Sequence, residues 1–293
     1  MSPPIRPRRS ALYMPGANAR ALEKGRSLAA DVLIMDLEDG VLPDAKVEAR
    51  DRIAGTLAAG GYGAREIVVR VNGIGTPWFA DDLAMAARGA DAAMLPKVED
   101  PATVVGAAAA LEAAGAPPGM GIWCMLETPT GILDARAIAR AHPRMAALTL
   151  GTADLSKALN ADLHAPDRLP LVTSMGLCVL AAREAGLAVL DAPHFDLSDD
   201  AGFERACRQG RSFGFDGKSL LHPRTIAVAN AVFGPSEADI DRARRIAAAW
   251  RAAAAEGKGV TLVDGRLIEA LHVEEAERTL ALAERIAALE EAG

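Results

Sequence analysis

Two carboxylates in the middle of the chain stand where a metal ion would be expected. Glu127 follows the apolar run Ile-Trp-Cys-Met-Leu, and Asp154 follows the next apolar run, which ends at Leu150. A carboxylate at the end of a buried strand is unfavourable unless it is paired or binds a metal, and neighbouring strands lie only about 4.8 Å apart. With no His or Cys nearby, such oxygen ligands favour Mg²⁺, with Mn²⁺ as an alternative ion. The competing interpretation is a salt bridge from either carboxylate to Arg70 or Lys97.

Charged and polar residues follow most of the other apolar runs as well. They are Asp36, Glu38, Asp39, Arg70, Asn72, Lys97, Glu99, Asp191, Lys218 and His222. Because parallel strands of a barrel end at the same face, this arrangement predicts a charged pocket there. Arg70 either pairs with Glu38 or Asp39 or stabilises a developing oxyanion with its permanent charge. Arg70 and Asp39 are candidate catalytic residues, whereas Asp191 is expected to hold Lys218 or Arg70 in place.

The segments that would position these side chains alternate between short apolar runs and Ala-rich stretches of helical period. This alternation is typical of β–α units around a parallel sheet. Strands are predicted over residues 10–14, 32–35, 67–71, 92–95, 122–126, 147–150, 187–190 and, as the weakest of the eight, 216–220. The pattern predicts one α/β domain, a TIM (β/α)₈ barrel that forms a catalytic domain over residues 1–232.

Residues 233–293 do not continue this pattern. One helix is predicted over 236–256, capped by Ser236, and another over 273–290. Between them, residues 259–268 contain a short apolar run with a turn at Asp264-Gly265. A closed barrel does not need this C-terminal helical extension, so we expect it to pack outside the barrel or to reach a neighbouring subunit.

Composition restricts the classes of function. The formal net charge of −7 argues against nucleic-acid binding, which needs a clustered basic surface. The short basic segment Arg6, Arg8 and Arg9 is expected to be a solvated tail. The three cysteines lack the spacing of metal ligands or of a disulfide framework, which fits a reducing cytoplasm. With no recognisable signal peptide and no apolar stretch of about 20 residues, we expect a soluble cytoplasmic protein without a membrane partner.

Several short motifs follow one another along nearly the whole chain. They are Arg9-Ser-Ala-Leu-Tyr13-Met-Pro15-Gly16, Lys24, Asp36-Leu-Glu38-Asp39-Gly40-Val41, Lys46, Arg50, Val-Arg70-Val-Asn72-Gly73, Leu95-Pro96-Lys97-Val-Glu99, Glu127-Thr-Pro, Gly151-Thr-Ala-Asp154-Leu and Gly214-Phe-Asp216-Gly217-Lys218-Ser-Leu-Leu-His222-Pro223. Each is a weak signal alone, but their order and spacing are specific. In these motifs the chain resembles the citrate lyase beta-subunit family, which includes malyl-CoA lyases and related CoA-ester lyases.

The resemblance implies a TIM barrel that binds Mg²⁺ through Glu127 and Asp154, with Arg70 contacting the thioester carbonyl. It also implies that one N-terminal stretch contacts the CoA nucleotide, through Tyr13, Arg20 and Lys24. Members of the family assemble into trimers or hexamers in which a C-terminal segment closes over a neighbour's site. A homo-oligomer with residues 233–293 as such a lid is therefore expected here.

One motif departs from the family pattern. In related CoA lyases the C-terminal segment often carries an aspartate shortly after an Asp-Gly pair, proposed as an acid/base acting across subunits. Here Asp264-Gly265 is followed by Arg-Leu-Ile-Glu269, so the matching position is a glutamate. Glu269 is the third candidate catalytic residue. The alternative is an ordinary acid at a helix N-terminus, where the helix dipole favours it.

The resemblance implies a Mg²⁺-dependent CoA-ester lyase. Such an enzyme cleaves a carbon–carbon bond of a 3-hydroxyacyl-CoA, such as malyl-CoA or β-methylmalyl-CoA, and gives a 2-keto acid such as glyoxylate and an acyl-CoA. In the reverse direction it forms the same bond. The nearest alternative is a malyl-CoA-type thioesterase, which the residues do not separate from a lyase because its nucleophile is a water. A third interpretation is a citrate lyase beta-like subunit that acts on an acyl-carrier-protein partner.

Overall fold

A computed structural model describes residues 5–292 and contains a closed barrel of eight strands in chain order. The strands are β1 (Ser10–Pro15), β2 (Val32–Asp36), β3 (Glu66–Arg70), β4 (Ala92–Leu95), β5 (Gly121–Leu126), β6 (Met145–Leu150), β7 (Ala188–Asp191) and β8 (Gly217–Leu220). Every neighbouring pair is parallel, including the closing pair of β8 with β1. The predicted α/β TIM barrel is confirmed, with its weakest strand in place.

Helices cover the outside of this barrel. They are α1 (Ala19–Gly25), α2 (Lys46–Ala59), α3 (Phe79–Ala86), α4 (Pro101–Ala113), α5 (Pro129–Leu133), α6 (Ala135–Ala139), α7 (Thr152–Leu159), α8 (Val172–Glu184), α9 (Asp200–Phe213) and α10 (Ile226–Phe233). A (β/α)₈ pattern predicts one helix after each strand, but β5 is followed by the pair α5 and α6. They meet at Asp134, whose backbone (φ −95°, ψ 9°) leaves the helical region.

The core has two layers because side chains alternate along each strand. Inward residues such as Val68, Met94 and Met125 fill the barrel interior, and residues of the opposite parity pack beneath the helices. The same period of two carries Arg70, two residues after Val68, and Glu127, two after Met125, to the C-terminal end of the barrel. Alternation along the strands therefore delivers the charged side chains to one end of a packed interior.

Ion pairs close the opposite, N-terminal end of the barrel. Arg9 is buried and donates to both carboxylate oxygens of Asp31, at 2.9 and 2.8 Å. Arg8 donates two hydrogen bonds to Glu66, at 2.6 and 2.8 Å. The expectation of a solvated tail is wrong for these two arginines. Asp31 and Glu66 are buried where β2 and β3 begin, and a carboxylate is stable there only with a cationic partner.

The C-terminal extension consists of α11 (Glu237–Ala255), β9 (Thr261–Val263), β10 (Arg266–Ile268) and α12 (Ala270–Glu291). The predicted cap Ser236 accepts a hydrogen bond from Asp239 N at 3.1 Å. β9 and β10 form an antiparallel hairpin whose turn is Asp264-Gly265, both with positive φ (51° and 74°), as the tightest hairpin turns require. The predicted turn lies at this point.

Helix α12 crosses the N-terminal face of the barrel. Arg278 donates to Asp216, just before β8, at 3.2 Å, and Glu290 accepts from Arg9, just before β1, at 3.2 Å. Within one chain, the extension therefore lies on the face opposite the strand ends that carry Arg70. Within residues 5–292, no helix has the length and apolar character needed to span a membrane.

Candidate active site

Arg70 is held in a fixed orientation at the end of β3. Its Nε and Nη2 donate to Oδ1 and Oδ2 of Asp36, at 2.6 and 2.7 Å. Arg70 and Asp36 are direct register partners on adjacent strands, so the two inward side chains meet. The guanidinium lies 4.8 Å from the centre of the Tyr13 ring, and its Nη1 is 3.0 Å from Glu38. Two hydrogen bonds to a planar carboxylate and one stacked face leave the guanidinium little freedom.

The partner expected for Arg70 was Glu38 or Asp39, and the structure assigns the main contact to Asp36 instead. Glu38 is a secondary partner, while the side chain of Asp39 is 66% exposed and 3.9 Å from Nη1. Burial alone would lower the pKa of Arg70, but the hydrogen bonds and negative charge of Asp36 raise it above its ordinary value. Arg70 is therefore a permanent cation at the barrel mouth.

Lys97 connects three carboxylates at the end of β4. Its backbone N–H donates to Oε1 of Glu127 at 2.9 Å. Its Nζ donates to Glu38 at 2.9 Å and lies 3.1 Å from Oδ2 of Asp154. The backbone has φ of 50°, a conformation uncommon outside glycine. This conformation lets the amide and the ammonium of one residue contact carboxylates from different strand ends.

Glu127 is enclosed, with 5% of its surface exposed. Burial raises its pKa to about 7, against the opposing effect of the nearby Lys97 charge. The next strand, β6, is followed directly by Gly151, where an added Cβ would lie 2.6 Å from both Cβ and Oε2 of Glu127. The absence of a side chain at Gly151 therefore creates the space in which this carboxylate sits.

The donor chemistry fits a hard divalent cation. The strand ends bring together five carboxylates and two cations: Asp36, Glu38, Asp39, Glu127 and Asp154 against Arg70 and Lys97. When all are ionised, five negative charges against two positive charges leave an excess of three negative charges. Throughout residues 5–292, no group of three or more His, Cys, Asp or Glu side chains is arranged around one metal position. A site with two protein carboxylates suits Mg²⁺, which keeps several waters and takes substrate oxygens.

For Asp154 the structure shows the contact of the competing interpretation, a salt bridge. Its Oδ2 forms this salt bridge with Lys97. Glu127 instead accepts a hydrogen bond from the backbone N–H of Lys97. Its pKa is raised mainly by burial, and the negative charge of Asp154 adds to this rise. The two carboxylates proposed as metal ligands thus lie side by side around Lys97.

Asp191 plays the supporting role expected of it, with Lys218 rather than Arg70. Its Oδ2 accepts from Lys218 Nζ at 2.8 Å, and Arg168 Nη1 donates to both carboxylate oxygens at 2.7 and 2.8 Å. Lys218 is 1% exposed and points away from the barrel interior, as does its register partner Asp191. Arg168 lies in an irregular loop without a sequence motif, so no sequence signal identified it.

Of the remaining predicted site residues, the structure brings Tyr13 into contact with Arg70. Tyr13 packs into the barrel interior beneath Arg70, whereas Arg20 and Lys24 are exposed one turn apart on α1. Glu269 immediately precedes α12, and its backbone N–H donates to Nδ1 of His272 at 3.1 Å. Since the extension lies on the N-terminal face, Glu269 does not join the strand-end site of its own chain.

Sequence and structure comparisons place the chain among known proteins. Residues 9–223 match the profile of the HpcH/HpaI aldolase/citrate lyase family. The chain is 47% identical to the (3S)-malyl-CoA thioesterase of Cereibacter sphaeroides strain ATCC 17025, covering 96% of each chain. It is 35% identical to the L-malyl-CoA/beta-methylmalyl-CoA lyase of Cereibacter sphaeroides strain ATCC 17029, covering 98% of each.

A solved structure extends the likeness to three dimensions. The protein CitE from Mycobacterium tuberculosis, in complex with magnesium, acetoacetate and coenzyme A, superposes with a TM-score of 0.75. That match has 29% identity and covers 94% of this chain and 97% of that one. This protein is a member of the HpcH/HpaI aldolase/citrate lyase family of enzymes.

Proposed function

We propose that this protein hydrolyses the thioester of a malyl-CoA-type substrate, giving free malate and CoA thiol, in a Mg²⁺-dependent reaction. The observation that carries this choice is the 47% identity to a (3S)-malyl-CoA thioesterase over 96% of both chains. The motifs alone put carbon–carbon cleavage first, and the higher identity to the thioesterase, 47% against 35% to a lyase, reverses that order. The site is compatible with either reaction, because both develop negative charge on the thioester oxygen.

Arg70 is the residue that would stabilise this charge. When a water attacks the thioester carbon, the carbonyl oxygen becomes an oxyanion before the CoA thiolate leaves. The Arg70 guanidinium is already fixed by Asp36 and stacked on Tyr13, so it can stabilise this oxyanion without reorganisation. Asp39, exposed beside Arg70, is the proposed acceptor of the proton from the attacking water.

Glu127 and Asp154 are the proposed holders of Mg²⁺, with Mn²⁺ as an alternative ion. When bound, the ion would polarise and orient substrate oxygens as a Lewis acid. The chain's own contribution is the orientation of Glu127 by the Lys97 amide and by the space at Gly151. Arg20 and Lys24, exposed on α1, are the proposed contacts for the CoA nucleotide phosphates.

Lyase activity is the second candidate, favoured by the relatives that are 35% identical over 98% of both chains. In that reaction the carbon–carbon bond beside the thioester breaks, and Arg70 would stabilise the resulting enolate in place of the oxyanion. Glu269 would then be the acid/base. Because it lies on the far side of its own barrel, it would have to act in a neighbouring subunit.

The proposal includes a homo-oligomer, a trimer or hexamer, in which residues 233–293 form a lid over a neighbour's site. The position of the extension away from its own strand ends supports this arrangement. A cytoplasmic location is also part of the proposal, and the three buried free cysteines are consistent with it. Sedimentation of the purified protein tests the oligomer directly.

The reaction is tested by incubating the purified protein with malyl-CoA and Mg²⁺, with and without EDTA. Malate, CoA thiol, glyoxylate and acetyl-CoA are measured together. We expect equal amounts of malate and thiol, lost with EDTA. Glyoxylate with acetyl-CoA would establish the lyase instead. No product from the CoA ester, with turnover of an acyl-carrier-protein thioester, would move the function to a carrier-dependent subunit.

A conservative variant tests the role given to Arg70. Arg70→Lys keeps the charge but loses the two-pronged contact with Asp36, so kcat should fall by about 100-fold while the substrate still binds. Arg88→Lys makes the same change at an exposed position on the barrel surface and should leave kcat unchanged. Unaltered turnover by Arg70→Lys would remove Arg70 from the mechanism.

A further inference from the structure

Lys97 contacts both of the carboxylates that are proposed to hold the metal, Glu127 and Asp154. Its ammonium bridges Glu38 and Asp154, at 2.9 and 3.1 Å. Asp154 is one of the two carboxylates proposed to hold the metal. A divalent ion bound to Asp154 and this ammonium would share one carboxylate and repel each other over a few ångströms.

The two parts of Lys97 have separable tasks. Its backbone amide orients Glu127, and this bond does not depend on the identity of the side chain. Its ammonium contacts two carboxylates, Glu38 and Asp154, and offsets one negative charge of the site. The side chain is 45% exposed and already contacts Glu38, so the ammonium can leave Asp154 without losing all of its partners.

We propose that Lys97 is a built-in counter-ion for the metal site, which pairs with Asp154 in the metal-free protein and shifts onto Glu38 when the divalent cation binds. This inference rests on the proposed function only in taking Glu127 and Asp154 as the metal ligands. Lys97 stabilises the free site and at the same time weakens its affinity for Mg²⁺. The neutral side chain therefore gives a tighter metal site and a less stable metal-free protein.

The test measures Mg²⁺ binding by titration calorimetry and thermal unfolding of the complete protein, with no CoA ester present. Lys97→Met and Lys97→Asn are both neutral, and Asn in particular tolerates the positive φ at this position. Both should bind Mg²⁺ at least ~10-fold more tightly than the unsubstituted protein. Both should melt at lower temperature without metal, and this difference should shrink at saturating Mg²⁺.

Two controls accompany these variants. Lys97→Arg retains the charge and should bind Mg²⁺ with nearly unchanged affinity. Lys258→Met removes one positive charge from the distant extension and should change neither measurement. Equal or weaker Mg²⁺ binding by both neutral variants would overturn the inference while leaving the metal site intact. If the unsubstituted protein binds no Mg²⁺, the metal part of the proposed function fails together with it.

Discussion

The space beside Glu127 provides a sharp test of how the site is built, through the substitution Gly151→Ala. The backbone of Gly151 has φ of −110° and ψ of 106°, which alanine adopts without strain. The new methyl group would nevertheless lie 2.6 Å from two atoms of Glu127, where ordinary contacts begin at 3.4 Å. The effect of the substitution should therefore fall on the Glu127 carboxylate and not on the local backbone.

The size of the effect follows from this overlap. To relieve it, Glu127 must move by about 1 Å, against the hydrogen bond from the Lys97 amide. Overpacking of this kind costs about 1–3 kcal/mol of stability. Mg²⁺ requires near-ideal octahedral geometry, so we expect Mg²⁺ affinity to fall by at least ~10-fold, equivalent to about 1.4 kcal/mol. A displacement of about 1 Å at a catalytic centre reduces turnover by about 100-fold.

Three measurements check this prediction: Mg²⁺ titration calorimetry, malyl-CoA turnover at several Mg²⁺ concentrations, and urea unfolding. Gly106→Ala is the matched control, because a Cβ at Gly106 in α4 has no neighbour within 4 Å. It should leave metal binding and turnover unchanged and slightly raise stability. If Gly151→Ala binds Mg²⁺ and turns over like the unsubstituted protein, the proposed role of Glu127 as a metal ligand is wrong.

Two further predictions concern the buried ion pairs. Asp36→Asn removes the main carboxylate partner of the buried Arg70, and unfolding in urea should show a loss of about 3–5 kcal/mol. Asp39→Asn, at an exposed position, should change stability by less than about 0.5 kcal/mol. Burial would raise the pKa of Asp191, but the charges of Lys218 and Arg168 hold it below its ordinary value. Asp191 therefore stabilises the fold fully above its ordinary pKa of about 3.9, and this contribution is lost as pH falls toward the depressed folded value. Unfolding measured from pH 6 to 3 should show a shallower acid dependence for Asp191→Asn, together with lower stability at pH 6; parallel curves would contradict this.

Much of the fold was predictable because its signals are local. Seven of the eight barrel strands are short, largely apolar runs, and the ends of all eight were located within about two residues from the sequence pattern. The cap at Ser236 and the turn at Asp264-Gly265 depend on neighbouring residues within one segment, and both lie where they were expected. The break between α5 and α6 at Asp134 has no such local signal, and it was missed.

The sequence also predicted which charged residues lie at the strand ends, but it did not predict which of them form ion pairs with one another. The order of strands in a barrel brings Glu127, Asp154, Arg70 and Lys97 to one face, and this follows from the fold class alone. Which carboxylate holds Arg70 depends on the register of β2 against β3, which aligns Asp36 with Arg70 and leaves Asp39 outside. The inward parity that Asp36 shares with Arg70 is compatible with this pair, but parity alone does not set the register.

The sequence by itself determined the barrel, the family motifs and the set of charged residues at the strand ends. Only the tertiary structure decided that Lys97 bridges Glu38 and Asp154, that Arg8 and Arg9 close the barrel, and that α12 lies on the N-terminal face. The physical reason is the range of the interactions. Apolar periodicity acts over a few residues, whereas an ion pair forms between whichever distant side chains the folded backbone brings within about 3 Å.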